Sequence, residues 1–249
     1  MDLGAFREIV MADFEFEAHP GERSIPLCLV AREFKSSRQF RIFQGEFGPA
    51  PPYATGPDVL FVAYYASDEL GCYRILCRPM PERILDLFTE FRDRTNGLGQ
   101  AAGLLDALVY FGFDPMNAGA KKDLQEAIGA GTWPGRYTPE QILDYCETDM
   151  VALERLLPAM LPQIDLPRAL LRGRYMAAAA VMEHNGTPID LDALARLRGL
   201  GGHPRPTHSR DRRLWNLRRS HLQIGAVDRI DEADGNPLAA ARERRSGFV

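Results

Sequence analysis

The chain has 249 residues, 45% of them hydrophobic and 26% charged, with a formal net charge of −4, a balance ordinary for a globular protein, and its order of elements, strands first and helices after with one buried strand between helices, describes a mixed α/β domain. No apolar run reaches the length of a membrane span, and the sequence does not open on a basic segment followed by an apolar stretch, so the expectation is a soluble, cytoplasmic protein without a membrane partner. The four cysteines, Cys28, Cys72, Cys77 and Cys146, form no C-x-x-C or Cys/His pattern, which argues against a zinc site or a disulfide framework and reads as reduced thiols.

Charge is unevenly spread: residues 1–197 carry 28 acidic against 19 basic side chains, and residues 198–249 carry 6 against 11. An acidic body argues against broad non-specific nucleic-acid binding but leaves room for a nuclease, whose site carboxylates are offset by bound metal.

Ile9 to Phe16 is predicted as a strand, and the alternation of Ile25, Leu27, Leu29 and Ala31 predicts a second over Ser24 to Phe34, after a His19-Pro20-Gly21 turn. Phe40 to Phe43 is a third. The continuous apolar run Val59–Tyr65 has the character of a strand buried on both faces. Helical periodicity follows through Leu70, Ile75 and Leu76, then over Pro81 to Arg94 and Gly103 to Phe111. Residues 138–157 are the clearest helix, with Thr138 as N-cap, Pro139 at the first position and Gln141 completing a capping box. Another runs from about Leu166 through Glu183 and is ended by Asn185-Gly186 and Pro188. Asp190-Leu191-Asp192 opens one more. Beyond Leu200 the texture becomes Arg-rich without apolar period, with isolated Trp215 and Leu217, and predicts a poorly structured tail.

Two acidic motifs have spacings that chemistry would ask for. In Asp13-Phe14-Glu15-Phe16-Glu17 the acids Asp13 and Glu15 share one face of a strand while Phe14 and Phe16 pack the other. In Tyr145-Cys146-Glu147-Thr148-Asp149 the phenol and Asp149 share one face of a helix. Taken singly, the first is an edge strand with a charged outer face and the second the wet side of an amphipathic helix. Brought together, three carboxylates and a phenol would hold hard divalent cations and a water molecule.

In this order the motifs resemble the 3′→5′ exonuclease (proofreading) domain of family A DNA polymerases, a DEDD exonuclease of ribonuclease H-like fold. Asp13-Phe14-Glu15 is similar to the first motif and Tyr145–Asp149 to the third, in its tyrosine subtype. Asp86-Leu87-Phe88-Thr89-Glu90 falls where that family has an Asp-led helix. Arg172-Gly173-Arg174-Tyr175-Met176-Ala177 and Met182–Asp190 resemble its exit toward the polymerase thumb. The second motif departs from the pattern: Tyr64 stands where the family has Asn, and either Asp68 or Glu69 would be the acid. Spacing to Asp86 favours Glu69.

The resemblance implies a domain over 1–165, the start of polymerase-like thumb helices over 166–200 and a divergent tail over 201–249 without polymerase activity. It implies two Mg²⁺ or Mn²⁺ ions on Asp13, Glu15, Glu69 and Asp149. Asp13 would bridge them, and Tyr145 would orient the attacking water. DNA with a single-stranded 3′ end would be the substrate, with Leu29 or Phe16 against the terminal base. The alternatives are a catalytically impaired nucleic-acid-binding remnant of a polymerase, or a DEDD exonuclease acting on RNA. Trp133 reads as a loop anchor, and Arg172 and Arg174 as phosphate contacts or solvated helix arginines.

Overall fold

A computed structural model of the chain describes residues 3–19, 22–99, 101–114 and 118–200. The turn at Pro20-Gly21 and the tail from 201, with Trp215 and Leu217, lie outside the described residues.

Five strands form one mixed sheet in the order β3-β2-β1-β4-β5. β1 (Glu8–Glu17), β2 (Ile25–Glu33) and β3 (Gln39–Phe43) make an antiparallel meander, while β4 (Val59–Ala63) runs parallel to β1 and β5 (Arg83–Asp86) parallel to β4. β1 is therefore the central strand, not an edge. Its first half, Ile9-Val10-Met11-Ala12, is sealed on both faces, as a strand flanked by two others and covered by two layers of helix must be.

The chain moves between layers through α1 (Ala66–Ile75), α2 (Leu87–Arg94), α3 (Leu104–Tyr110), α4 (Ala118–Gly129), α5 (Pro139–Met160), α6 (Leu166–Asn185) and α7 (Leu191–Leu200). One core joins Ile9, Met11, Leu27 and Val30 to α2, α3 and α5. The other joins Val10, Ala12, Phe14, Leu29 and Ala31 to α1 and α6. The alternation of strand residues between the two cores, interrupted at Leu27 and Cys28, which both join the first, is the period-2 signature of the pleat.

Two sequence expectations change. The predicted helix from Pro81 to Arg94 divides into β5 and α2, because Ile84 and Leu85 are drawn into the sheet beside Phe61 and Val62. Asp68 does not cap α1. The cap position is Tyr65, in the left-handed region at φ 70°, and its amide and that of Ala66 donate to Asp86 Oδ1 at 2.8 and 3.2 Å. The same carboxylate accepts from Phe88 and Thr89 at the start of α2. One buried side chain thus ties the N-termini of two helices to the end of β5.

α5 begins as the sequence predicts, with Thr138 and Gln141 exchanging capping hydrogen bonds. α6 is packed into the domain, against α1 and β5. Gly173 permits this: a Cβ there would sit 2.0 Å from the Ile84 carbonyl oxygen. Beside it, Arg172 makes a two-pronged ion pair with buried Glu90, both contacts at 2.6 Å. No helix among the described residues is long and apolar enough to cross a membrane.

Candidate active site

Pairing between β4 and β1 ends at Met11. Past that point the open side of β1 is met by α1, and the acids gather there. Asp13 and Glu15 continue the face of Ile9 and Met11, which looks toward α5, and directly after Glu15 the register shifts by one extra residue, Leu27, on β2. A bulge re-aims the residues beyond it. Glu17 accordingly leaves the group: it accepts a 2.9 Å hydrogen bond from Trp133 Nε1 and lies beside His19. Trp133 is an anchor for the end of β1, as its loop position suggested, and also packs edge-on against Phe43.

α5 delivers the second motif. Cys146 is fully buried, and its Sγ lies 3.2 Å from the Asp13 carbonyl oxygen and 3.3 Å from Asp13 Oδ2. Ligand atoms of Asp13, Glu15 and Cys146 all fall within 4.8 Å of one another. Tyr145 is 8% exposed. Burial first, and then the charges of Glu15, Asp149 and Asp13, push its hydroxyl far above the ordinary range, so it stays a neutral O–H at any physiological pH. A row of ion pairs fixes the helix in place: Arg41 of β3 meets Glu140, Asp144 and Glu147, and Arg32 of β2 meets Glu147 and Glu154.

Glu69 arrives from α1. It is 4% exposed, and its Oε2 is buried without a hydrogen-bond partner among the described residues. Burial, followed by the charges of Asp13, Asp68 and Glu15, holds its carboxyl well above the usual range, while the Phe14 amide opposes the shift. Asp68 turns another way: burial and the neighbouring Glu183 and Asp86 raise it to about 7. Of the two acids the sequence left open, Glu69 is the one set beside Asp13 and Glu15. The structure therefore sets Glu69 beside Asp13 and Glu15, and Tyr145 among Glu15, Asp149 and Asp13. Of the two side chains considered for a base contact, Leu29 is sealed in the core and Phe16 is only partly covered.

A cluster of this kind is what divalent cations require. All four acids offer hard oxygen donors that could hold a cation, crowding of like charge raises the cost of ionising them together, and Glu69 Oε2 has no hydrogen-bond partner among the described residues. Cys146 is the member that sequence reasoning passed over as an ordinary reduced thiol. Its signal was available, since one residue after Tyr145 on a helix lies on the flank facing the sheet.

The sequence matches no protein-family model, and comparison with curated proteins gives no match. Solved structures do match. RNase D of Trypanosoma brucei in complex with RNA U12 superposes with a TM-score of 0.54 at 14% identity, covering 97% of this chain and 81% of that one. The GMP complex of that RNase D gives 0.54 at 15%, covering 98% and 74%. The catalytic core of RRP6 from the same organism gives 0.52 at 15%, covering 85% and 57%. At such identities the likeness is one of fold: the chain has the ribonuclease H-like exonuclease architecture.

Proposed function

We propose that this chain is a metal-dependent 3′→5′ exonuclease that hydrolyses phosphodiester bonds at the 3′ end of single-stranded RNA, releasing nucleoside monophosphates. The observation that carries the reading is the convergence of Asp13 and Glu15 from the central strand, Glu69 from one helical layer, and Tyr145 and Asp149 from the other. That constellation stands in a fold whose solved neighbours include an RNase D holding RNA U12 and one holding GMP.

Asp13, Glu15, Glu69 and Asp149 would hold two Mg²⁺ or Mn²⁺ ions, oxygen-seeking cations suited to four carboxylates. The chemistry such ions supply when bound is a nucleophilic hydroxide at neutral pH and charge stabilisation at the leaving oxygen. The protein's own contribution is placement. Tyr145, locked as a neutral hydroxyl, orients the attacking water and does not take its proton. Asp13, with both Glu15 and Glu69 as neighbours, would be the ligand the two ions share. Buried Glu69 would supply its unpartnered oxygen to one of these ions.

A DNA substrate is the second reading, and it rests on the polymerase-like stretch from Arg172 to Asp190. Arg172 is engaged with Glu90 and Gly173 is required by the Ile84 carbonyl. Packing therefore accounts for these two residues without a DNA polymerase context. The test is digestion of 5′-labelled RNA and DNA oligonucleotides of one sequence with Mg²⁺ or Mn²⁺. RNA should shorten from its 3′ end faster than DNA, and Asp13→Ala and Asp149→Ala should abolish both. Equal rates for wild type and the two variants would replace the enzyme with a nucleic-acid-binding remnant.

A further inference from the structure

The third motif places a sulfur atom inside a carboxylate site, and general metal chemistry gives that sulfur a role. A tetrahedral ion with a thiolate at about 2.3 Å and a carboxylate oxygen at about 2.0 Å sets the two donors roughly 3.5 Å apart. Cys146 Sγ lies 3.3 Å from Asp13 Oδ2, and Glu15 completes a group within 4.8 Å. The independent observation is Glu69 Oε2, an unpartnered oxygen on a side chain only 4% exposed, next to Asp13 and Glu15. A buried acceptor left unsatisfied is costly, and a bound cation removes that cost.

We propose that Cys146 is a metal ligand, so that Asp13, Glu15 and Cys146 form a mixed oxygen–sulfur site selecting thiophilic divalent ions of the Zn²⁺ and Cd²⁺ class. On binding, the S–H proton shared with Asp13 passes to solvent as the sulfur–metal bond forms, and no electrons are transferred. The inference rests on reading Asp13 and Glu15 as metal ligands. It adds that the one pocket has two modes: an oxygen-only mode for Mg²⁺ or Mn²⁺, and a sulfur-containing mode that holds softer ions more tightly. Zn²⁺ at low concentration then competes with Mn²⁺ for the same acids.

Metal binding without nucleic acid tests this. The full chain is titrated with Cd²⁺ while the sulfur-to-metal charge-transfer band is followed in the ultraviolet. Mn²⁺ binding is followed in parallel by electron paramagnetic resonance. Wild type and Cys77→Ser should give the band at one Cd²⁺ per chain. Cys146→Ser and Cys146→Ala should lose it, bind Cd²⁺ on the order of tenfold more weakly or worse, and keep their Mn²⁺ signal and their circular dichroism. Cys28→Ser controls for the neighbouring thiol and should keep the band. A wild-type protein that binds Mn²⁺ but gives no Cd²⁺ band overturns the sulfur ligand while leaving the oxygen site standing. So does a band that survives in both Cys146 variants or disappears in Cys77→Ser. Failure to bind either metal overturns both readings.

Discussion

Replacing Gly173 by Ala isolates the contact that seats α6. The added Cβ would lie 2.0 Å from the Ile84 carbonyl oxygen, 2.7 Å from its carbonyl carbon and 3.0 Å from its Cβ. Carbon–oxygen contacts of this type settle at about 3.3–3.6 Å, so the helix must withdraw from β5 by roughly 1.5 Å. Neither partner is a flexible side-chain end, so rotation cannot relieve the clash. Overpacking of this sort costs about 1–3 kcal/mol, and the rigid backbone partner puts Gly173 at the upper end. Against it stands the helix preference for Ala over Gly, about 0.5–1 kcal/mol. The net expectation is a loss of about 2 kcal/mol, or a Tm lower by roughly 4–8 °C for a domain of this size. Thermal melts by far-ultraviolet circular dichroism, with urea titrations, read it directly. Ala178→Gly, on the exposed side of the same helix, should cost about 0.5–1 kcal/mol through propensity alone. If Gly173→Ala melts at or above wild type, propensity has won and the close approach of α6 to β5 is not a constraint.

Three further outcomes follow from the acids of α1 and β5. Asp68, raised to about 7 by burial and by Glu183 and Asp86, binds its proton more tightly folded than unfolded. The penalty for ionising it is therefore present above pH 7 and disappears as pH falls from about 7 toward 4. Metal-free protein should gain stability between pH 8 and 5.5, and Asp68→Asn should be more stable than wild type at pH 8 by about 2–4 kcal/mol, with a flatter profile. Urea melts at the two pH values check it, and wild type weaker at pH 5.5 with an unchanged slope in the variant would refute it. Glu69→Gln should likewise stabilise the metal-free protein at pH 8 yet lower exonuclease rate by about a hundredfold or more, as paired melting and digestion assays would report. Asp86→Ala strands the amides of Tyr65 and Ala66 and removes the cap of α2, so it should cost about 2–4 kcal/mol in urea melts. A loss under 1 kcal/mol would mean water replaces the carboxylate.

The D-x-E strand and the Thr138-capped helix could be read from residues alone because each is governed locally, the first by alternation and the second by a capping box. β5 could not. Four residues, Arg83–Asp86, sit in a window whose apolar spacing also suits a helix, and only pairing with Phe61 and Val62 decides between them. The central position of β1 is also a long-range fact, although Ile9-Val10-Met11-Ala12 hints at it through an unbroken apolar run. Within the site, Asp13, Glu15, Tyr145 and Asp149 were legible because their spacings follow strand and helix periods. Glu69 and Asp68 are neighbours that look alike in sequence, and they part company only when the direction of α1 sends one toward β1 and the other toward Asp86. Cys146 was named only as a thiol, since nothing local says which atom of β1 it meets.

The seating of α6 has a bearing on how the molecule behaves among its own copies. An open sheet has two margins, and each is a template on which a foreign strand can add. At β5 the outward Ile84 carbonyl lies directly beneath Gly173, so that margin is roofed by a helix. At β3 the margin carries Arg41, engaged with α5, and Arg38 stacked on the Phe40 ring. One border is closed by covering and the other discouraged by charge, so a loosened α6 would uncover an aggregation-prone strand as well as weaken the fold.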